Sequence, residues 1–184
     1  MKGMKIVGVA LLLSAIFALV NAPLGWAASK ESLNRDGAKA LKALYAGNNA
    51  ARLLGQKASA ILVFPSIVKA GFLFGGQLGE GVLFKNGKPA GYYNTVAGSY
   101  GLQAGAQTFG YALFFMNAGA LAYLDKSDGW EVGVGPSIVV VDEGMGKSMT
   151  STTITQDVYA FIFSQKGLMG GLGIQGSKIT KLKP

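Results

Sequence analysis

The amino-acid sequence predicts an α+β fold: a curved, mainly antiparallel β-sheet, open or nearly closed into a barrel, with amphipathic N-terminal helices packed on it. Three observations carry this expectation. Residues 29–59 contain only Gly37, Gly47 and Gly55 among many Ala, Leu and Lys, which is helical composition. Residues 60–184 hold most of the Gly, Val, Phe and Tyr and break into short apolar runs, which is strand composition. Glycines also fall inside those runs, at Gly101, Gly105, Gly133, Gly135, Gly170, Gly171 and Gly173, where they mark bends, bulges or the close approach of another backbone.

Residues 1–27 read as a secretory signal peptide. Lys2 and Lys5 make a short basic start, and Ile6 to Val20 is uncharged and almost wholly apolar. That run is shorter than the roughly 18–20 residues that span a bilayer. Asn21 and Pro23 then break a helix, and Gly25-Trp26-Ala27 supplies small residues two positions apart before a cut. An uncleaved anchor is the alternative, because no charge occurs between Lys5 and Lys30. The expected mature chain, residues 28–184, is one domain, exported to the periplasm, the extracellular space or the outer-membrane surface. It carries fifteen Lys and Arg against nine Asp and Glu, a net charge of +6 that suits anionic lipid or envelope polymer. Nucleic acid is a poor partner for an exported protein.

In the helical part, Ser29 is the expected N-cap, and Leu33, Gly37, Ala40, Leu41, Leu44 and Tyr45 follow helical spacing. Leu33, Ala40 and Leu44 fall within about 40° on a helical wheel. Glu31, Arg35, Lys39 and Lys42 cover the opposite arc, so the outer face is mostly basic. Gly47-Asn48-Asn49 interrupts, and Ala50–Ala58 reads as a second short helix with Arg52 and Lys57. The strand series then runs Ile61–Phe64, closed by Pro65, then 71–76, 81–84, 91–93, 100–107, 111–115, 130–134, 138–141, 158–163 and 168–174. Asn86-Gly87 is the strongest hairpin signal, and Asn117–Leu124 reads as one or two helical turns.

No His and no Cys occur in the chain. Zinc sites of Cys/His type, Ser-His-Asp and Cys-His centres and histidine acid–base chemistry are therefore excluded, as is a lipid anchor on an N-terminal Cys. Other motifs fall short of a chemistry. Gly171-Leu-Gly173-Ile-Gln-Gly176 matches a dinucleotide fingerprint but has no room for the helix and acid that must follow. Gly144-Met-Gly146-Lys147-Ser148 resembles the end of a phosphate-binding loop, yet Val141 stands where its first glycine belongs, and a mobile loop is the simpler reading. Ser99 in Ala97-Gly-Ser99-Tyr-Gly101 has no histidine to activate it. Asp125-Lys-Ser-Asp128-Gly129-Trp-Glu131 lacks the alternating ligands of a calcium loop and reads as a turn, and Asp142-Glu143 as a solvated loop. No enzyme, metal or cofactor is expected. Lys178, Lys181 and Lys183 form a second basic spot.

Three stretches together resemble the SYLF-domain family: Ala60-Ile-Leu-Val-Phe-Pro-Ser-Ile-Val-Lys-Ala-Gly-Phe72, Gly79-Glu-Gly-Val-Leu83 and Val158-Tyr-Ala-Phe-Ile-Phe-Ser-Gln-Lys-Gly-Leu-Met-Gly-Gly171. Gly101-Leu-Gln-Ala-Gly-Ala-Gln107 and Trp130-Glu-Val-Gly133 lie between them, so the resemblance covers roughly residues 30–178. It implies a non-enzymatic, exported, lipid-binding envelope domain that meets anionic phospholipid through a basic amphipathic N-terminal segment, and other envelope proteins are a further expected class of partner. The matching lipid-binding residues are Arg35, Lys39 and Lys42, with Arg52 and Lys57. The chain departs from relatives in having no Cys for acylation and no appended eukaryotic module, which weakens any implication of phosphoinositide preference or actin binding. The competing expectation is a small integral outer-membrane β-barrel or structural envelope protein. Against it, Ile138–Val141 and Phe161–Phe163 are continuous apolar runs where lipid-facing barrel strands alternate.

Overall fold

The computed structural model describes residues 29–126, 130–131, 135–150, 154–168 and 177–182. The expected signal segment, Asp128-Gly129 and the Gly171–Gly176 motif lie outside them. Helices α1 (Lys30–Gly47) and α2 (Asn49–Gly55) lead into strands β1 (Ala60–Lys85) and β2 (Lys88–Phe115). Then follow α3 (Ala118–Lys126), β3 (Trp130–Glu131), β4 (Ile138–Val140), α4 (Glu143–Ser148), β5 (Val158–Leu168) and β6 (Lys178–Lys181). The sheet runs β3-β6-β2-β5-β4, with β1 on the other edge of β2. It is a curved half-barrel, antiparallel except where β4 lies parallel to β5, and the N-terminal helices pack against it.

Two long strands replace the series of short ones that the glycines suggest. β1 and β2 form one hairpin around Asn86-Gly87, where both residues take positive φ (51° and 74°), the requirement of a type I′ turn. Straight, a 26-residue strand would run about 85 Å, far beyond a domain whose radius of gyration is about 15 Å. The hairpin therefore curls, helped by register shifts between Phe64 and Ile67, Phe72 and Phe74, and Leu83 and Phe84. Pro65, expected to close a strand, instead occupies the first of these bulges, where the missing N–H breaks no ladder bond. The curl is tight enough that β1 meets itself. A Cβ on Gly79 would stand 2.8 Å from Ile67 Cγ1, and one on Gly81 2.7 Å from Phe64 Cδ1.

The sheet is buried on both sides over residues 60–64, 111–115 and 158–161. Inside the curl, Leu62, Phe64, Ile67, Tyr111, Leu113 and Phe115 pack with Leu121 and Leu124 of α3. Phe64 and Tyr111 stack with ring centres 6.3 Å apart. On the outer face, Ile61, Val63, Phe114, Tyr159 and Phe161 pack against Leu33, Leu44, Ala51 and Leu54 of α1 and α2. Two covered faces explain the continuous apolar runs.

The helix ends follow their caps. The Ser29 hydroxyl accepts the Ser32 N–H at 3.1 Å and starts α1. Asn48 ends α1 and starts α2, its side chain accepting the Ala51 N–H at 3.0 Å. The Gly144–Ser148 segment, expected as a mobile loop, is instead the helix α4 inside the β4-to-β5 crossover. Asp142, expected in a solvated loop, caps it by accepting the Met145 N–H at 2.7 Å. That carboxylate stands where a phosphate-binding loop would have to leave its amides free.

β6 draws Lys178 and Lys181 out of the expected basic spot and into the sheet, beside Val96 and Tyr93; Lys183 lies outside the described residues. At the end of α3, the Asp125 carboxylate accepts hydrogen bonds from Tyr93 Oη and Lys181 Nζ, both at 3.0 Å, and Lys85 Nζ lies 4.0 Å away. A carboxylate in a last helical turn opposes the macrodipole, and these partners offset it. Partial burial raises the Asp125 carboxyl, but the hydrogen bonds and the two ammonium charges outweigh it and hold its pKa below the ordinary value. Its contribution to stability is therefore complete above the unfolded-state pKa, about 4, and fades as pH falls through the lower folded value. Asp125→Asn should destabilise the protein at neutral pH by no more than an exposed ion pair is worth, about 0–1 kcal/mol. The gap from the parent should narrow below pH 4 in melts run across pH, and a pH-independent gap would exclude the charge as its cause.

Candidate functional site

α1 is held by Leu33, Gly37 and Leu44, all buried against the outer face of the sheet. A Cβ at Gly37 would collide with Val82 Cγ1, so glycine sets how closely the helix lies on β1. This fixes which side of α1 meets water. Arg35, Lys39 and Lys42 are exposed on that side, at i, i+4 and i+7, and so fall on one stripe. Glu31 shares the stripe, and Arg35 Nε lies 3.1 Å from Asp36 Oδ1, with side-chain exposures of 70% and 50%. At that exposure the pair is weak, and the guanidinium can turn to another anion at little cost.

Arg52 and Lys57 are also exposed, but on α2 and the turn after it rather than on the stripe. Arg52 Nη2 donates to Asn49 Oδ1 at 2.6 Å, and Lys57 has an interaction of its own. The five predicted cations thus divide into an aligned trio on α1 and two engaged residues farther along the chain.

Beside the trio a cleft of about 500 Å³ opens between α1, α2 and the start and end of β1. Leu41, Tyr45, Ile61 and Phe84 give it apolar walls, and Lys42 and Gln56 give it polar ones. Its size is in the range of small-ligand pockets, about 300–1,000 Å³. Burial raises the Tyr45 phenol above its ordinary pKa, so it remains a neutral hydrogen-bonding group at neutral pH. The Tyr45 hydroxyl sits over Gly55, where a Cβ would collide with it. Leu41 and Tyr45 were legible as part of the helix's apolar stripe; the cleft was not, because it needs Phe84 from the far end of the hairpin.

Ser99 lies in β2 opposite Gly75, its side chain outside what the structure describes. Among the described residues, no three carboxylates come together as metal ligands, and no helix is long and apolar enough to cross a membrane. Neither protein-family models nor curated proteins match the sequence.

Proposed function

We propose that this protein is an exported, SYLF-like envelope domain that binds anionic phospholipid surfaces peripherally through α1. The observation that carries the reading is the alignment of Arg35, Lys39 and Lys42 on the exposed side of a helix whose opposite side is locked to the sheet. A fixed helix presents its cations together, without the ordering entropy that a free segment would lose on binding. Each cation near an anionic surface contributes roughly 1 kcal/mol, so the trio contributes about 3 kcal/mol. That is recruitment rather than anchoring, and it weakens with salt because exposed charges are screened beyond about 8 Å at physiological ionic strength. Arg52 and Lys57 contribute less in this reading, and the cleft beside Lys42 offers apolar walls to the part of a lipid next to its headgroup.

The peripheral reading is better supported than an integral barrel. A membrane barrel turns apolar side chains outward to lipid and leaves its interior polar. Here much of the interior is filled by Phe64, Tyr111 and Leu113, and α1 and α2 cover part of the outer face.

Co-sedimentation with vesicles of graded phosphatidylglycerol content tests the proposal. Binding should rise with anionic lipid and fall with salt. The triple variant Arg35→Glu, Lys39→Glu, Lys42→Glu should bind at least about 100-fold more weakly, the equivalent of the 3 kcal/mol above. Equal binding to neutral vesicles, or an unaffected variant, would refute it.

A further inference from the structure

We propose that the inner face of the half-barrel holds a second, polar binding site, formed by Lys69, Gln77 and Gln107, for a phosphate or carboxylate group that carries a neighbouring hydroxyl. The site is independent of the α1 surface. In β1, inward positions recur every second residue: Ile67 and Lys69 after the first bulge, and Leu83, Gly81, Gly79 and Gln77 on the returning half. In β2 the same alternation takes Phe109 to Gln107. The inner face is apolar up to Ile67 and Phe109 and then becomes polar while staying buried: Lys69 is 5% exposed, Gln77 5% and Gln107 6%.

The register brings these three together. Lys69 and Gln107 are direct cross-strand partners, so their side chains leave the sheet on the same face as neighbours. The curl of β1 packs Gly81 on Phe64 and Gly79 on Ile67. One step further along both halves, on the same face, the pair is Gln77 and Lys69. Thr95, 1% exposed and in register with Gly79, adds a hydroxyl to the same wall.

Among the described residues, two buried atoms of this wall have no hydrogen-bond partner, the donor Gln77 Nε2 and the acceptor Gln107 Oε1, while Lys69 beside them has an interaction of its own. Buried amides are almost always satisfied, and an orphaned pair calls for an occupant. The occupant must accept from Gln77, donate to Gln107 and tolerate an ammonium group beside it. An anionic oxygen with a nearby hydroxyl does all three, with the charge set against Lys69. Glycerol phosphate has this chemistry, either free or as the headgroup of phosphatidylglycerol.

Titration calorimetry with sn-glycerol 3-phosphate, and separately with a short-chain phosphatidylglycerol kept below its micellar concentration, tests the site. Saturable binding is expected, weakened at least 10-fold by Gln77→Leu or Gln107→Leu and more by Lys69→Met. Binding of the free solute would make the ligand a soluble metabolite, and binding of the lipid alone would make it a headgroup; either supports the site. The two Gln→Leu variants should melt no lower than the parent without ligand, since each removes an unsatisfied atom, and this keeps the test sound if Lys69→Met does not fold. No saturable binding of either probe, or binding equal in parent and leucine variants, would overturn it. The Arg35/Lys39/Lys42 variant should bind sn-glycerol 3-phosphate like the parent, and phosphatidylglycerol held at α1 would be lost in that variant and kept in the two leucine variants, so failure of the α1 reading leaves this result standing and the reverse.

Discussion

Gly81→Val should be among the most damaging single substitutions in the chain, because it blocks the curl of the hairpin. A Cβ there would stand 2.7 and 2.8 Å from two carbons of the Phe64 ring and 2.8 Å from the Val63 carbonyl oxygen. Neither neighbour can yield. Phe64 is fully buried in the inner core, and Val63 lies in the β1 ladder paired with Ala112. Extra methylenes forced into a packed core destabilise by about 1–3 kcal/mol, and backbone on one side puts this site at or above the top of that range. For a chain of this size, 3 kcal/mol corresponds to a melting temperature lower by about 6–12 °C. The control is Gly98→Ala, on the same hairpin, where nothing lies within 4 Å of the added Cβ. It should be neutral to slightly stabilising, because alanine restricts the unfolded chain more than glycine does. Thermal melts of the two variants separate close approach from a general need for glycine in the strands. Equal, small shifts would mean that β1 does not fold back on itself.

The contrast between those two glycines marks where sequence reasoning stops. Local signals were legible: Ser29 as a cap, Asn86-Gly87 as the hairpin turn, and the apolar runs around 61–64, 111–115 and 158–163 as strands. Each rests on residues adjacent in the chain. The fact that 61–64, 71–76 and 81–84 are one strand was not legible, because Pro65 and the glycines are the usual punctuation of loops. Only continuous pairing with β2, up to 55 residues away in sequence, carries β1 through them. β6 was hidden for a similar reason, since Lys178-Ile-Thr-Lys181 has a single buried side chain, Ile179, and reads as a solvated tail until Tyr93, Asp125 and β3 are set beside it. α4 was hidden by its composition: Gly-Met-Gly-Lys-Ser has poor helix propensity, and the Asp142 cap and the crossover geometry override it. The cationic stripe on α1 was readable from 3.6-residue periodicity alone. The inner polar wall left a trace as well, since Lys69 and Gln107 stand two residues from Ile67 and Phe109, in phase with buried positions. That phase has meaning only once the curvature shows which face is inside.

Phe114→Ala should destabilise the protein by about 3–5 kcal/mol, the range for truncating a fully buried aromatic residue. The expected drop in melting temperature is about 6–20 °C. Its location makes the consequence specific. Phe114 lies on the outer face of β2, edge-on to Phe161 at 5.2 Å between ring centres and 6.4 Å from the ring of Tyr45 on α1. It therefore joins the helical layer to the sheet, whereas Phe64, equally buried, belongs to the inner core under α3. If the layers open separately, Phe114→Ala should speed amide hydrogen exchange most in α1 and α2, and Phe64→Ala should not single out those helices. Exchange that accelerates uniformly in both variants would make the two cores one cooperative unit. Selective opening has a functional corollary under the proposed reading. Arg35, Lys39 and Lys42 face outward together only because Leu33, Gly37 and Leu44 hold the other side of α1 down. Phe114→Ala should then weaken binding to anionic vesicles although no charge has changed, and by less than reversal of the three cations does.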